Sequence, residues 1–231
     1  MPSWITHLVV ANEIQTEERN EFIFANVMPD ILEGYNVKKV SEIIRDYSTH
    51  FPKLKELNNI IVKLPNIEYF KEKYKNQMSN PIIKGYYTHL LTDYYWNNYA
   101  IGKYFYNFDK EKDLVKLKLQ DGNEKICTWD EAVKIKQKDF SQFTNYLKHD
   151  KKMKTPIFTE KIEEYSKELD EFEYTKDDIK NTVAYIEELV QEENKEEKEE
   201  YSMFTKSELI KTLEENILWV KEKLEELDIK E

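Results

Sequence analysis

The chain has 231 residues, enough for one large domain or for a domain with an appendage. Apolar residues make up 40% and aromatics 13%, which excludes wholesale disorder, and a net charge of −11 argues against broad binding to nucleic acid or to an anionic membrane surface. With only 4 Gly and 6 Pro, long helices and few tight turns are expected.

The chain starts MPSWITHLVVANEI, with no basic n-region and no long apolar run, and so is not read as a signal peptide. No window approaches the roughly 18 consecutive apolar residues of a membrane span. Ser3 predicts an N-cap, with Ile5, Leu8, Val9 and Asn12 following at helical spacing. Phe22 to Asp30 is an apolar stretch that closes on Pro29-Asp30. Val37 to Ser48 reads as a helix with Val40, Ile43, Ile44 and Tyr47 on one face, stopped by Phe51-Pro52. Asn66 to Lys75 predicts another helix. Pro81 opens a long one that runs through Tyr86, His89 and Asp93 towards Phe105. The pattern then switches to period two over Leu114 to Leu119, turns at Gln120-Asp121-Gly122-Asn123 and returns over Lys125 to Thr128, which predicts an inserted β-hairpin. Thr128-Trp129-Asp130-Glu131 is a capping box for the next helix. From Thr159 the chain is highly charged, with apolar residues at helical spacing, and two or three helices are expected. Gln191 to Glu200 reads as a solvated helix end or linker. Residues 1–155 are taken as a helical core carrying the hairpin near 113–128, and 156–231 as charged helices packed on it as one domain. The single cysteine, Cys127, allows no disulfide within the chain, fits a reducing, cytoplasmic setting and reads as a small buried apolar side chain.

Three of the four histidines sit in one phrase: Thr6-His7-Leu8, Thr49-His50-Phe51 and Thr88-His89-Leu90. His89 and Asp93 are four residues apart in a predicted helix and share a face. Imidazole nitrogen and carboxylate oxygen at one point suit zinc, and also iron or manganese. With Asp30, the set His7, Asp30, His50, His89 and Asp93 has the chemistry of a two-metal hydrolytic site. Each member also has an ordinary reading: a packed or surface histidine, or a turn residue at Asp30 after Pro29. His149-Asp150 spells the dyad of HD-type phosphohydrolases, but it lies in a basic run, where a solvated helix end is the ordinary reading.

The order of these residues carries a resemblance. The His7 phrase, Asn26-Val27-Met28-Pro29-Asp30, Thr49-His50-Phe51 and Gly85-Tyr86-Tyr87-Thr88-His89-Leu90-Leu91-Thr92-Asp93 together resemble the zinc-dependent phospholipase C family over residues 1–105, and more distantly the S1/P1 nucleases. The resemblance implies an all-α fold with metals in a cleft between helices, and hydrolysis of a phosphate ester. It implies Asp30, His50, His89 and Asp93 as ligands of one zinc and His7 and Asp93 as ligands of a second, with Asp93 bridging and Asp30 also as general base. The family completes the second site with its mature N-terminus, here Met1 or, with Met1 removed, Pro2. Its third metal has no ligands in this chain. Neither Asn98 nor Tyr99 is the histidine it needs, and Met153 stands four residues after His149 where a Glu is required.

The expectation is a metal-dependent, phospholipase C-like phosphoesterase with one or two zinc ions. Its partner is a small phosphorylated substrate or phospholipid headgroup, with nucleic acid and membrane insertion disfavoured. Trp4, Asn26, Tyr86 and Trp96 are placed around the substrate by nearness in sequence. The alternative is a catalytically inactive helical protein in which the metal is structural and the charged C-terminal helices form an interaction module.

Overall fold

A computed structural model describes residues 2–150, 152–192 and 200–228. The centre of the fold is a long helix buried on nearly every side over its first half. α5 (Pro81–Tyr104) is capped by Asn80, whose Oδ1 accepts from Ile82 N at 2.8 Å, and starts on Pro81. From Pro81 to Asp93 nearly every residue is buried, so neighbours pack all around it. α1 (Trp4–Glu13) is likewise buried from Trp4 to Ala11 and is capped by Ser3. α2 (Arg19–Ala25) lies directly on α5. Gly85 permits that approach: a Cβ there would stand 2.5 Å from the Phe22 carbonyl oxygen and 2.6 Å from Ala25 Cβ. α3 (Met28–Ile31) is a single turn containing Asp30.

The expected helix over 37–48 is absent. That segment runs as bends and irregular chain: Val37 is buried and Val40 and Ile44 pack on the core, while Ile43 stays half-exposed, so its apolar residues reach the core without forming one helical face. Its backbone is held elsewhere: Ser41 N and Oγ both donate to Asp178, and Ile44 N donates to Leu32 O. A one-turn 3-10 segment, Ser48–His50, follows, flanked by Tyr47 (φ +70°) and Phe51 (φ +49°) in the left-handed region.

β1 (Pro52–Leu57) and β2 (Ile60–Pro65) then form an antiparallel hairpin in register Leu57↔Ile60. Asn58 and Asn59 both take positive φ at its two-residue turn, the geometry asparagine tolerates best after glycine. α4 (Ile67–Lys73) follows, capped by Asn66. Beyond α5, β3 (Phe105–Asp109), β4 (Leu114–Lys118) and β5 (Glu124–Thr128) form a three-stranded antiparallel sheet. The expected hairpin is β4–β5, and β3 extends it. The all-α class is therefore corrected. The fold is mixed, 57% helical with 12% strand in two small sheets, because two hairpins rather than one join the helices.

α6 (Trp129–Asp150) opens on the expected capping box, with Glu131 N donating to Thr128 Oγ1 and Thr128 N to Glu131 Oε2. α7 (Glu160–Ser166), α8 (Lys176–Gln191) and α9 (Lys206–Asp228) complete the described chain. Ile162, Ile179, Ile186, Leu209 and Val220 of these helices join the same buried cluster as α1, α2 and α5, so the C-terminal part shares one core with the rest. Most of the expected linker 191–200 lies outside the described residues. Among the described residues, no helix is long and apolar enough to cross a membrane.

Candidate metal centre

Five residues that are far apart in sequence meet at the middle of α5. His89 and Asp93 stand one turn apart on its buried face, His7 comes from α1, Asp30 from α3 and His50 from the 3-10 turn. His50 Nε2 lies 3.3 Å from Asp30 Oδ1, 3.3 Å from Asp93 Oδ2 and 3.1 Å from His89 Nε2. His89 Nε2 is 3.7 Å from Asp93 Oδ2 and 3.9 Å from Asp30 Oδ1. On the other side of Asp93, His7 Nε2 faces Oδ1 at 3.3 Å, and the His7 ring stacks on His89 with centroids 3.9 Å apart. The two oxygens of Asp93 therefore face different histidines.

These atoms are close without being well hydrogen-bonded. Both His7 nitrogens, Asp30 Oδ1 and Asp93 Oδ1 are buried and make no aligned hydrogen bond. The spacing fits a shared cation, since two ligands at about 2.0–2.2 Å from a tetrahedral ion stand roughly 3.4 Å apart. Three overlapping donor sets each lie within 4.8 Å, close enough for small side-chain shifts to bring them onto one ion: His7–Asp30–His89, His50–His89–Asp93 and Asp30–Glu33–His50. The tautomer of His89 also suits a ligand. Its Nδ1 lies 2.8 Å from the Asn26 carbonyl oxygen, which can only accept, so the proton sits on Nδ1 and the Nε2 lone pair faces the cluster. Trp4 Nε1 donates to Asp30 Oδ2 at 2.8 Å, which directs Oδ1 towards the histidines.

The electrostatics are those of crowded, buried charges. Burial opposes the charge on His50, but hydrogen bonds and charge from Asp30 and Asp93 hold its pKa up at about 10. Burial, reinforced by the charge of His7, pushes His89 down to about 3. Asp93 is held well below the ordinary carboxylate range by the histidines, against the opposing effect of burial. Asp30 is lowered in the same way, by His89 and His50.

Two residues at this centre were not singled out from the sequence. Glu33 sits three residues beyond Asp30, in the turn that follows α3, with Oε1 3.6 Å from His50 Nδ1, and burial raises its pKa to about 7. The Asp30-x-x-Glu33 spacing is the signal that could have found it. Tyr47 stacks on His50 with centroids 4.1 Å apart, and its hydroxyl donates to Asp93 Oδ2 at 3.4 Å. Only its position three residues before His50 pointed to it.

Asp30 and Glu33 border a cavity of about 490 Å³, together with Pro2, Trp4, Gln137 and Tyr185. Of the four expected substrate residues, Trp4 thus lies both at the cavity and on a candidate ligand. Asn26 acts through its carbonyl on His89. Tyr86 is buried, with its hydroxyl donating to Thr49 O beside His50. Trp96 lies in the core against Phe140 and Phe143, with Nε1 donating to Asn216 Oδ1 at 3.2 Å, because α5 turns that position towards α6 and α9. Met1, the other expected terminal ligand, lies outside the described residues. His149 is exposed in the last turn of α6, where no dyad chemistry is supported. Cys127 is buried, and burial pushes its thiol pKa up, away from nucleophilic character. No family model matches the chain, and no curated protein or solved structure matches it either.

Proposed function

We propose that the chain is a metal-dependent hydrolase acting on a phosphate ester, with a one- or two-ion centre of the kind found in zinc-dependent phospholipase C. The observation that carries this reading is the split of Asp93 between His7 and the His50–His89 pair, with Asp30 and Glu33 opening the same cluster to a cavity. A divalent ion held by these donors supplies Lewis acidity and an activated water. The protein's own part is orientation and proton transfer. Asn26 O fixes the His89 tautomer, and Trp4 Nε1 holds Asp30. Asp30 and Glu33 are the carboxylates at the cavity wall, where a proton can be taken from attacking water. The single buried free cysteine agrees with a reducing, cytoplasmic setting.

The test is elemental analysis of untagged protein, beside His7→Ala and His89→Ala. The expected result is about two zinc ions per chain, falling to about one in His7→Ala and near zero in His89→Ala. A panel of phosphomonoesters, phosphodiesters and single-stranded DNA then separates phosphoesterase from nuclease. A second reading, a structural metal without catalysis, is favoured by the complete burial of His7, His50, His89 and Asp93. Stoichiometric metal without turnover of any phosphoester would move the assignment to that reading. No stoichiometric metal would end both.

A further inference from the structure

Lys136 is a buried lysine, at 5% exposure. It occupies an inward position on α6, in line with Ala132, Phe140, Phe143 and Leu147, where the helical pattern calls for an apolar side chain. Keeping an ammonium group there carries a desolvation cost, so its retention calls for a reason. The other buried charge on this face, Asp139, has one. Its carboxylate accepts from the backbone N–H groups of Ser202, Met203 and Phe204.

The surroundings of Lys136 point to the metal centre instead. It lines a cavity of about 530 Å³ with Tyr47, Lys63, Asn97 and Gln137. Tyr47 is the residue whose hydroxyl reaches Asp93 Oδ2, and Asn97 stands one turn beyond Asp93 on α5, its Nδ2 donating to Asp93 O at 3.0 Å. Burial pulls the Lys136 pKa down, and the charge of Asp93 opposes that pull. The ammonium also lies 5.8 Å from the centre of the Phe140 ring. Gln137, next in sequence, borders both this cavity and the one walled by Asp30 and Glu33.

We infer that Lys136 is the anion-recognising residue of the centre: its ammonium pairs with a phosphate oxygen of the substrate on the Tyr47–Asn97 side of Asp93. This rests on the reading of the centre as a phosphate-ester hydrolase and narrows its substrates to those with an anionic phosphate. The cluster itself brings three carboxylates, Asp30, Glu33 and Asp93, towards any incoming anion, and Lys136 is the fixed positive side chain that offsets them. A compact ammonium suits a phosphate oxygen, and such charge-assisted bonds are the strong ones.

The test is calorimetric titration of inorganic phosphate into the zinc-loaded full chain, its Lys136→Met variant and its Lys136→Arg variant, with zinc content and thermal unfolding measured in parallel. Lys136→Met is expected to weaken phosphate binding by about tenfold or more, with zinc content unchanged. Its Tm should hold or rise, because a buried charge is removed. Lys136→Arg should keep most of the affinity. Equal phosphate affinity in the parent chain and Lys136→Met, absence of phosphate binding, or a large fall in Tm in Lys136→Met would overturn the assignment. If the chain retains no zinc, the hydrolase reading falls on that measurement alone. The phosphate titration of the metal-free proteins then decides Lys136 by the same comparison.

Discussion

Two buried carboxylates, Asp139 on α6 and Asp93 on α5, stand in opposite situations. Asp139 accepts at 2.7–3.1 Å from three successive backbone N–H groups, Ser202 to Phe204, at the entry to α9. It is a closed clamp in which every partner is a donor. Asp93 is surrounded by three histidines at 3.3–3.7 Å, and its Oδ1 has no aligned donor. Both are fully buried, so burial alone does not separate them. What separates them is satisfaction. A buried charge whose hydrogen bonds are complete serves the fold, and one whose neighbours face it out of alignment is arranged for something else.

The contrast breaks most severely on zinc. If the Asp93 cluster is a metal centre, saturating zinc should stabilise the protein by about 4 kcal/mol at a thousandfold excess over Kd. His89→Ala should abolish that gain while leaving the Asp139 clamp untouched. Thermal melts with and without zinc measure it. An equal Tm gain in parent and His89→Ala would mean that zinc acts elsewhere.

The reverse experiment is Asp139→Ala. It leaves three backbone donors unpaired inside the protein, which costs about 3 kcal/mol in total, and it should leave zinc stoichiometry unchanged. A denaturant melt beside elemental analysis tests both halves. A variant as stable as the parent, or one that loses zinc, would erase the distinction between the two carboxylates.

The sequence carried this contrast unevenly. His89-x3-Asp93 was legible because one helix supplies both, and Pro81 with its Asn80 cap fixes where that helix starts. The convergence of His7, Asp30 and His50 on the same point is a property of tertiary packing, above all of α2 closing on Gly85. Order along the chain hinted at it without giving distances. The β1–β2 hairpin was legible but unread. Asn58-Asn59 is a two-residue turn signal, and Ile60, Val62 and Leu64 alternate with exposed Ile61 and Lys63. The helix expected over 37–48 failed because its apolar residues pack on the core from irregular chain and Asp178, 137 residues from Ser41, takes the Ser41 backbone. No local pattern contains that. Lys136 was legible in principle, as a charge inside the apolar stripe of α6, but its nearness to Asp93 was not.

A finer test uses pH on the metal-free protein. His50 titrates at about 10 when folded, against an ordinary value of 6.5, so the stability it contributes is complete below pH 6.5 and is lost as pH rises towards 10. His89 titrates at about 3 when folded, so its contribution is present above pH 6.5 and is lost as pH falls from there. Asp30 and Asp93, lowered in the fold, add to the acid-side loss. Glu33, raised to about 7, loses its contribution as pH rises from 4.5 and offsets the His89 gain there, so the metal-free protein is expected to be most stable between about pH 4.5 and about pH 6.5, and zinc, which must displace the His50 proton, should release a proton on binding at neutral pH. Melts in chelator between about pH 5 and about pH 9 give the profile. Stability that climbs steadily through the alkaline range would sink this account of His50.

The smallest effect, and the sharpest probe of how the cluster is held, belongs to Trp4→Phe. The ring that packs edge-on against Tyr185 at 5.5 Å survives the substitution, so the fold should change little. What goes is the Nε1 donor to Asp30 Oδ2. Asp30 then loses the bond that turns Oδ1 towards His50, and zinc affinity is expected to fall by about tenfold, the lower range for losing such a supporting contact. Competition against a chelator of known affinity reads that change directly. Asp139 offers the control within the same molecule: no aromatic donor holds it, and its three backbone donors are already aligned. Trp4→Phe should therefore weaken zinc binding without lowering the metal-free Tm. If it lowers the Tm and leaves zinc affinity intact, the Trp4–Asp30 bond belongs to the fold, and the two carboxylates are more alike than their surroundings indicate.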